Sequence, residues 1–225
     1  MSGIIKGVLF DLDGTLLDTA LDMTEALNAL RAQEGLEALS NESVRCQVSH
    51  GGHALVRLGF GTLPTDEHEV MRMRLLEIYR RQLAKHTQLF EGGDEMLTEL
   101  ERRGLAWGIV TNKPGWLTDP LLVEVKLHTR ARTVVSGDTL PERKPHPLPL
   151  LHAATAMGVQ PAECVYVGDA ERDAQAAKAA GMYSLIAGFG YIGDGDRADE
   201  WFQHGWLNTP LDLLAWLDKP RNNSA

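Results

Sequence analysis

Two carboxylates stand one residue apart in Asp11-Leu12-Asp13-Gly14-Thr15, directly after the apolar run 4–10. Where a strand opens into a loop, both side chains can face one site, and Gly14 permits the turn. A carboxylate placed there can attack phosphorus and form an acyl-phosphate. The obstacle is charge. At about 3.5 Å, a carboxylate and a phosphate dianion repel by on the order of 10 kcal/mol at an effective dielectric of about 20. A divalent cation held by the same carboxylate reverses the sign, and magnesium suits carboxylate and phosphate oxygens. A calcium loop of the EF-hand type does not fit, because its sixth position requires Gly and is Leu16 here.

Other reactive residue types follow other apolar runs. Thr111 ends the run 105–110, where its hydroxyl and the next backbone N–H can grip a phosphate oxygen; a β-branched residue also simply suits a strand end. Asn112 is either an orienting hydrogen-bond partner or a loop asparagine. Lys144 lies in Pro141-Glu142-Arg143-Lys144-Pro145-His146-Pro147, a proline-stiffened loop that can hold an ammonium against developing negative charge, with Arg143 as a competitor. Asp169 follows the run 164–167. Asp173, four residues on, sits near a helix start, where the helix dipole alone favours an acid by roughly 0.3–1 kcal/mol.

The elements that must position these residues are short. Runs 4–10, 105–110, 133–135, 164–167 and 183–187 are near-continuous apolar stretches of the kind buried on both sheet faces. Helical patterns at 94–103, 147–157 and 170–180, each closed by Gly, alternate with them. Strand then helix, repeated, predicts a parallel sheet with right-handed crossovers, with ligands beyond the strands' carboxyl ends. From 18 to 86 no strand is expected. Leu21, Ala26, Leu27 and Leu30 outline one helix there; Val44, Val48, Leu55 and Leu58 a second, interrupted at Gly51-Gly52; Val70, Met73, Leu76, Ile78 and Leu83 a third. The tail 194–206 reads as loop and 210–217 as a closing helix, with Trp201, Trp206 and Trp216 as packing anchors.

Taken together, Asp11-Leu12-Asp13-Gly14-Thr15, Thr111-Asn112-Lys113, Lys144-Pro145 and Gly168-Asp169-Ala170-Glu171-Arg172-Asp173 resemble, in order, the four motifs of the haloacid dehalogenase-like hydrolases, most closely their phosphoglycolate phosphatase-like branch. Residues 86–90, 107–114 and Gly190-Tyr191-Ile192 are similar to N-acetylmuramic acid 6-phosphate phosphatases within it. The resemblance implies an α/β fold with a Rossmann-like parallel core, residues 1–17 and 87–225, and a small helical cap inserted at 18–86. It implies a Mg2+-dependent hydrolase of a small phosphate monoester, with Asp11 as nucleophile and Asp13 as proton carrier. Thr111, Asn112 and Lys144 are expected on the phosphate, and Asp11, Asp13 and Asp169 on the metal, with Asp173 supporting the metal or Lys144. Phosphoglycolate and N-acetylmuramic acid 6-phosphate are the candidate substrates; a sugar phosphomutase and a non-catalytic binding protein of the same fold are the rivals. Ser49-His50-Gly51-Gly52-His53 is either a substrate-facing loop or a plain helix connection. Two histidines without further ligands make a poor metal site, and Arg57 is a candidate cap-side anion contact.

Composition limits the partners. The chain has 225 residues, 44% of them apolar, with 22 basic against 31 acidic and a net charge of -9, so nucleic acid and anionic lipid are not expected partners. Cys46 and Cys164 form neither a disulfide framework nor a zinc pattern. The opening residues 1–7 lack a signal-peptide pattern, and a cytoplasmic protein is expected. Oligomeric state is not legible.

Overall fold

Val8 and Phe10 face one side of the opening strand and Leu9 the other, and all three are buried, because neighbouring strand residues alternate faces. The structure, a computed structural model, describes residues 4–219; residues 1–3 and 220–225 of the expected core range lie outside it. The opening strand, β1 (Gly7–Phe10), is shorter than the apolar run, and Ile4 is exposed. Next come a two-residue strand, β2 (Leu17–Asp18), and four helices: α1 (Ala20–Gln33), α2 (Asn41–Val48), α3 (Gly51–Phe60) and α4 (Thr65–Arg80). The chain returns through β3 (Gln88–Leu89), which pairs antiparallel with β2.

The remaining elements are α5 (Gly93–Arg102), β4 (Ala106–Val110), α6 (Gly115–Glu124), β5 (Val134–Val135), α7 (Leu148–Met157), β6 (Cys164–Gly168), α8 (Glu171–Ala180), β7 (Tyr183–Ala187), β8 (Gly205–Leu207) and α9 (Asp212–Leu217). The six-stranded sheet runs β5-β4-β1-β6-β7-β8, parallel at every pairing. The chain adds strands on one side of β1 and then crosses to the other. The crevice beyond β1 is therefore the topological switch point where open α/β sheets bind ligands. One face of the sheet packs Val8, Phe10, Trp107, Ile109, Val165 and Val167; the opposite face packs Leu9, Val110, Tyr166 and Met182 against α7 and α8.

Two local expectations change, and one helix appears that was not expected. The tail holds β8, whose Ile186↔Trp206 register extends the sheet where a loop is expected. Helix α6 forms despite Pro120 inside it. A proline there costs about 3 kcal/mol, whereas fully burying Leu117, Leu121 and Leu122 contributes about 1.5–3 kcal/mol for each side chain. In α4 the buried positions are Leu75, Leu76 and Tyr79, while Val70 and Met73 are exposed. The expected stripe falls partly on the solvent side, as does Leu21 in α1.

The four inserted helices bury their own apolar cluster, built on Leu27, Leu30, Val44, Leu55, Leu75 and Tyr79, and Leu117 and Tyr191 of the sheet region join it. Two polar seams tie this unit to the sheet. The Tyr191 hydroxyl accepts from the backbone N–H groups of Thr19 (2.6 Å) and Ala20 (3.0 Å) and donates to Asp18 (2.8 Å), satisfying the start of α1 from outside. Asp22, fully buried on α1, accepts from the backbone of His86 (2.9 Å) and Thr87 (3.0 Å) and from the Thr87 hydroxyl (2.6 Å). Removing that carboxylate leaves three donors without their acceptor. Asp22→Ala is expected to lower stability by about 3 kcal/mol, read as a shift in the urea midpoint at unchanged slope; a change within 0.5 kcal/mol, the range of ordinary surface substitutions, would contradict this account.

Candidate active site

Asp11 is the first residue beyond β1, held in register by its N–H donating to the Val167 carbonyl at 2.9 Å. Its Oδ1 accepts from the Leu12 N–H (2.7 Å) and lies 2.9 Å from Lys144 Nζ, while Oδ2 lies 3.6 Å from Arg172 Nη2. Asp169, the first residue beyond β6, and Asp173, in the first turn of α8, complete a cluster. One carboxylate oxygen from each of Asp11, Asp169 and Asp173 lies within 4.8 Å of the others, and all three residues are buried. Gly14, at φ +80°, allows the loop after β1 to lie against the Asp169 carboxylate, where any Cβ would collide with it.

The Lys144 side chain is fully buried. Its ammonium contacts Asp11 (2.9 Å), Asp173 (2.8 Å), the Val110 carbonyl (2.9 Å) and the Tyr166 hydroxyl (2.6 Å). Asn112 fixes the loop that carries it. The Asn112 amide nitrogen donates to the Lys144 carbonyl (2.9 Å), and its oxygen accepts from the Lys144 N–H (3.1 Å). The side chain expected on the phosphate is thus engaged with the lysine's own backbone. Arg143 is exposed. Thr111 is buried beyond β4, its N–H donating to the Val135 carbonyl (2.9 Å) and its hydroxyl accepting from the Lys113 N–H (3.1 Å).

Asp13 turns elsewhere. Its carboxylate accepts from the Thr19 hydroxyl at 2.7 Å and pairs with Lys113 Nζ at 2.9 and 3.2 Å, so its side chain is not one of the three clustered carboxylates. Asp173 takes that place: one of its oxygens caps α8 at the Ala170 N–H (3.1 Å), and the other meets Lys144. Ser49, at the end of α2, donates to Asp169 at 2.6 Å, so the loop that interrupts the inserted helices faces this site. His50 lies 3.9 Å from Asp196, His53 stacks on His68, and Arg57 is exposed. Trp201 is buried and the Trp216 ring NH donates to the His204 carbonyl, but Trp206 is 42% exposed, although its ring covers Gly188.

Burial and charge set the protonation balance. Burial pushes the Asp11 carboxyl up, but Lys144 and then Arg172 outweigh it and hold it below its usual value. Burial raises Asp173, and repulsion from Asp11 adds to it against the pull of Lys144. Asp169 is pushed up to about 7 by burial and by the Asp11 and Asp173 charges, against hydrogen bonds from Ser49 and the Tyr191 N–H. With all four ionised, Asp11, Asp13, Asp169 and Asp173 outnumber the cationic side chains Lys113, Lys144 and Arg172 by one charge, an excess that the raised proton affinity of Asp169 and Asp173 reflects. Buried carboxylate oxygens with surplus negative charge fit a hard divalent cation, and Asp11, Asp169 and Asp173 are the residues that would hold it.

Sequence reading missed Lys113, Arg172 and Tyr166 as site residues and reached Ser49 only as part of the candidate loop 49–53. Lys113 and Arg172 stand inside the quoted motifs, so the available signal was a basic residue beside an acid-bearing loop. Tyr166 reads as one more apolar strand residue, and Ser49 depends on how the inserted helices fold back.

The pattern of the haloacid dehalogenase-like hydrolases matches residues 8–187, and the chain belongs to this family. A phosphoglycolate phosphatase of Xanthomonas campestris pv. campestris (strain 8004) is 46% identical over 192 residues, spanning 85% of this chain and 87% of its own. An N-acetylmuramic acid 6-phosphate phosphatase of Pseudomonas putida (strain KT2440) is 36% identical over 215 residues, spanning 95% and 96%. The crystal structure of a predicted phosphoglycolate phosphatase from Haemophilus somnus 129PT aligns with a TM-score of 0.82 at 25% identity, covering 95% of this chain and 98% of that one.

The Asp169 shift has a sign that can be measured. Its folded value of about 7 exceeds the ordinary 3.8, so between these values the native state binds a proton that the unfolded state has lost. Stability of the metal-free protein therefore falls as pH rises from about 4 to about 7 and then levels, with a limiting slope of about 1.4 kcal/mol per pH unit. Relative to Asp169→Asn, the chelated protein is expected to lose on the order of 2–3 kcal/mol between pH 5 and 7.5 in urea titrations. Identical pH profiles for the two proteins would refute the assignment.

Proposed function

We propose that this protein is a magnesium-dependent phosphatase of small phosphate monoesters, with phosphoglycolate as the foremost substrate. The observation that carries this reading is the buried group of Asp11, Asp169 and Asp173 around Lys144 at the switch point of the sheet. The 46% identity to a phosphoglycolate phosphatase supports the choice of substrate. Mg2+, held by Asp11, Asp169 and Asp173, supplies the positive charge that lets a carboxylate approach a phosphate dianion.

Thr111 holds a phosphate oxygen through its hydroxyl, and Lys144 neutralises charge as it develops on the transferring group. Asn112 acts on the lysine loop and keeps the ammonium beside Asp11. Asp11 attacks phosphorus in line. The ester bond to the alcohol oxygen breaks, and Asp13, which enters this step protonated at the edge of the site, gives that proton to the departing alkoxide and is left as the carboxylate. The phosphate is then bonded to Asp11. Asp13 takes a proton from water, whose oxygen attacks that phosphorus and releases inorganic phosphate and the free Asp11 carboxylate. Residues 18–86 act as a cap that excludes bulk water while this proceeds, and the Ser49 contact with Asp169 is one point where it meets the site.

The test is phosphate release from phosphoglycolate. Asp11→Asn is expected to lower turnover at least about 10³-fold, because the nucleophile is lost. Chelation of Mg2+ is expected to abolish turnover in the unaltered protein, and readdition to restore it. Metal-dependent turnover retained by Asp11→Asn would defeat the reading.

A second substrate has its own support: the Pseudomonas putida N-acetylmuramic acid 6-phosphate phosphatase matches nearly the full chain. Rates on the two esters measured in parallel decide between them.

A further inference from the structure

Two of the three cationic side chains at the site stand beside the attacking carboxylate, Lys144 at 2.9 Å and Arg172 at 3.6 Å. The third, Lys113, faces another way. Its side chain is 6% exposed, its ammonium pairs with Asp13, and it lies 4.5 Å from the centre of the Tyr79 ring. Tyr79 belongs to α4 in the inserted helices, so this contact spans the boundary between that unit and the sheet. The Tyr79 side chain is fully buried, and its hydroxyl makes no hydrogen bond of good geometry among the described residues, with the Lys113 ammonium the cation beside it.

A buried hydroxyl without a well-formed hydrogen bond is an uncommon cost in a folded chain, and one that needs a reason. Here it lies beside an ammonium that carries three donors, which Asp13 alone does not exhaust. Both groups sit on the Asp13 side of the site, where the alcohol part of the ester must lie if Asp13 protonates the leaving oxygen. Two adjacent donors, one charged and both desolvated, match a carboxylate.

We propose that Lys113 and Tyr79 form a subsite for a carboxylate on the alcohol portion of the substrate. The proposal rests on the phosphatase reading and deepens it. Lys113 Nζ lies only 2.9 Å from the Asp13 carboxylate, so the substrate's carboxylate must stand within a few bonds of the ester oxygen. The substrate class is then phosphate monoesters of short hydroxy acids. A bulky sugar phosphate whose acid group is remote from the ester does not place its carboxylate there.

The experiment compares kcat/KM for phosphoglycolate with that for 2-hydroxyethyl phosphate, which keeps the two-carbon ester and lacks the carboxylate. The proteins are the unaltered chain, Lys113→Met and Tyr79→Phe, all with saturating Mg2+. The unaltered protein is expected to prefer phosphoglycolate about 100-fold or more, as sites built to hydrogen-bond a substrate group reject analogues without it. That preference is expected to fall about tenfold in Tyr79→Phe, mainly through KM, and further in Lys113→Met. Tyr79→Phe removes a hydroxyl with no well-formed hydrogen bond in the fold, and a purely structural role leaves the ratio unmoved because it lowers both rates alike. An unaltered protein with less than about threefold preference, or variants that lower both rates equally, would overturn the subsite while leaving the phosphatase reading intact. Failure of the unaltered protein on both esters and on p-nitrophenyl phosphate would overturn the two together.

Discussion

The site depends on a positive charge kept out of water. An ammonium as deeply buried as that of Lys144 is tolerable only when surrounded by matching acceptors, and losing one partner of such a group typically costs about 3–5 kcal/mol. Its acceptors come from separate parts of the chain: Asp11 after β1, the Val110 carbonyl at the end of β4, Tyr166 on β6 and Asp173 on α8. They converge only when β1 lies between β4 and β6 in the observed register. Parallel pairing of Phe10 with Ile109 and with Val167 is thus as much a part of the chemistry as the acids themselves.

The carboxylates around that charge differ in their surroundings. Asp11 has two cations beside it and is held ionised, as the nucleophile role proposed for it requires. Asp169 has no cation within ion-pair distance among the described residues; hydroxyls from Thr15 and Ser49 and the Tyr191 N–H serve it instead. Two acids on one ligand cluster are thereby separated in proton affinity by what lies next to them. Ser49 also brings the inserted helices to this cluster, so the small helical unit and the sheet meet at the chemistry as well as along their apolar boundary.

Much of this was legible in the sequence because the sheet is buried on both faces. Unbroken apolar runs ending in Asp11, Thr111 and Asp169 marked both the strands and the end at which they open. What escaped notice lacked a local signal. The strands β2 and β3 are two residues each, too short for any periodicity, and β8 gains its identity only by pairing with β7. Helix α6, which carries Pro120, was not among the expected helices, and the apolar residues on its inner face hold it. In α4 several apolar positions competed for the inner face, and the neighbouring helices decided among them. Within the site, amide and ammonium directions are set across 30 to 100 residues of sequence. Asn112 folding back onto Lys144 and Lys113 reaching Asp13 lie beyond what spacing alone conveys.

The chain leaves the sheet region through β2 and returns through β3 hydrogen-bonded beside it, with Asp22 clasping the return. An excursion whose exit and entrance are neighbours adds nothing to the thread of the main sheet. Its helices can be traded, lengthened or reshaped over evolutionary time while the catalytic framework keeps its path. Changes in that excursion leave the path of the sheet and of Asp11, Lys144 and Asp169 unaltered.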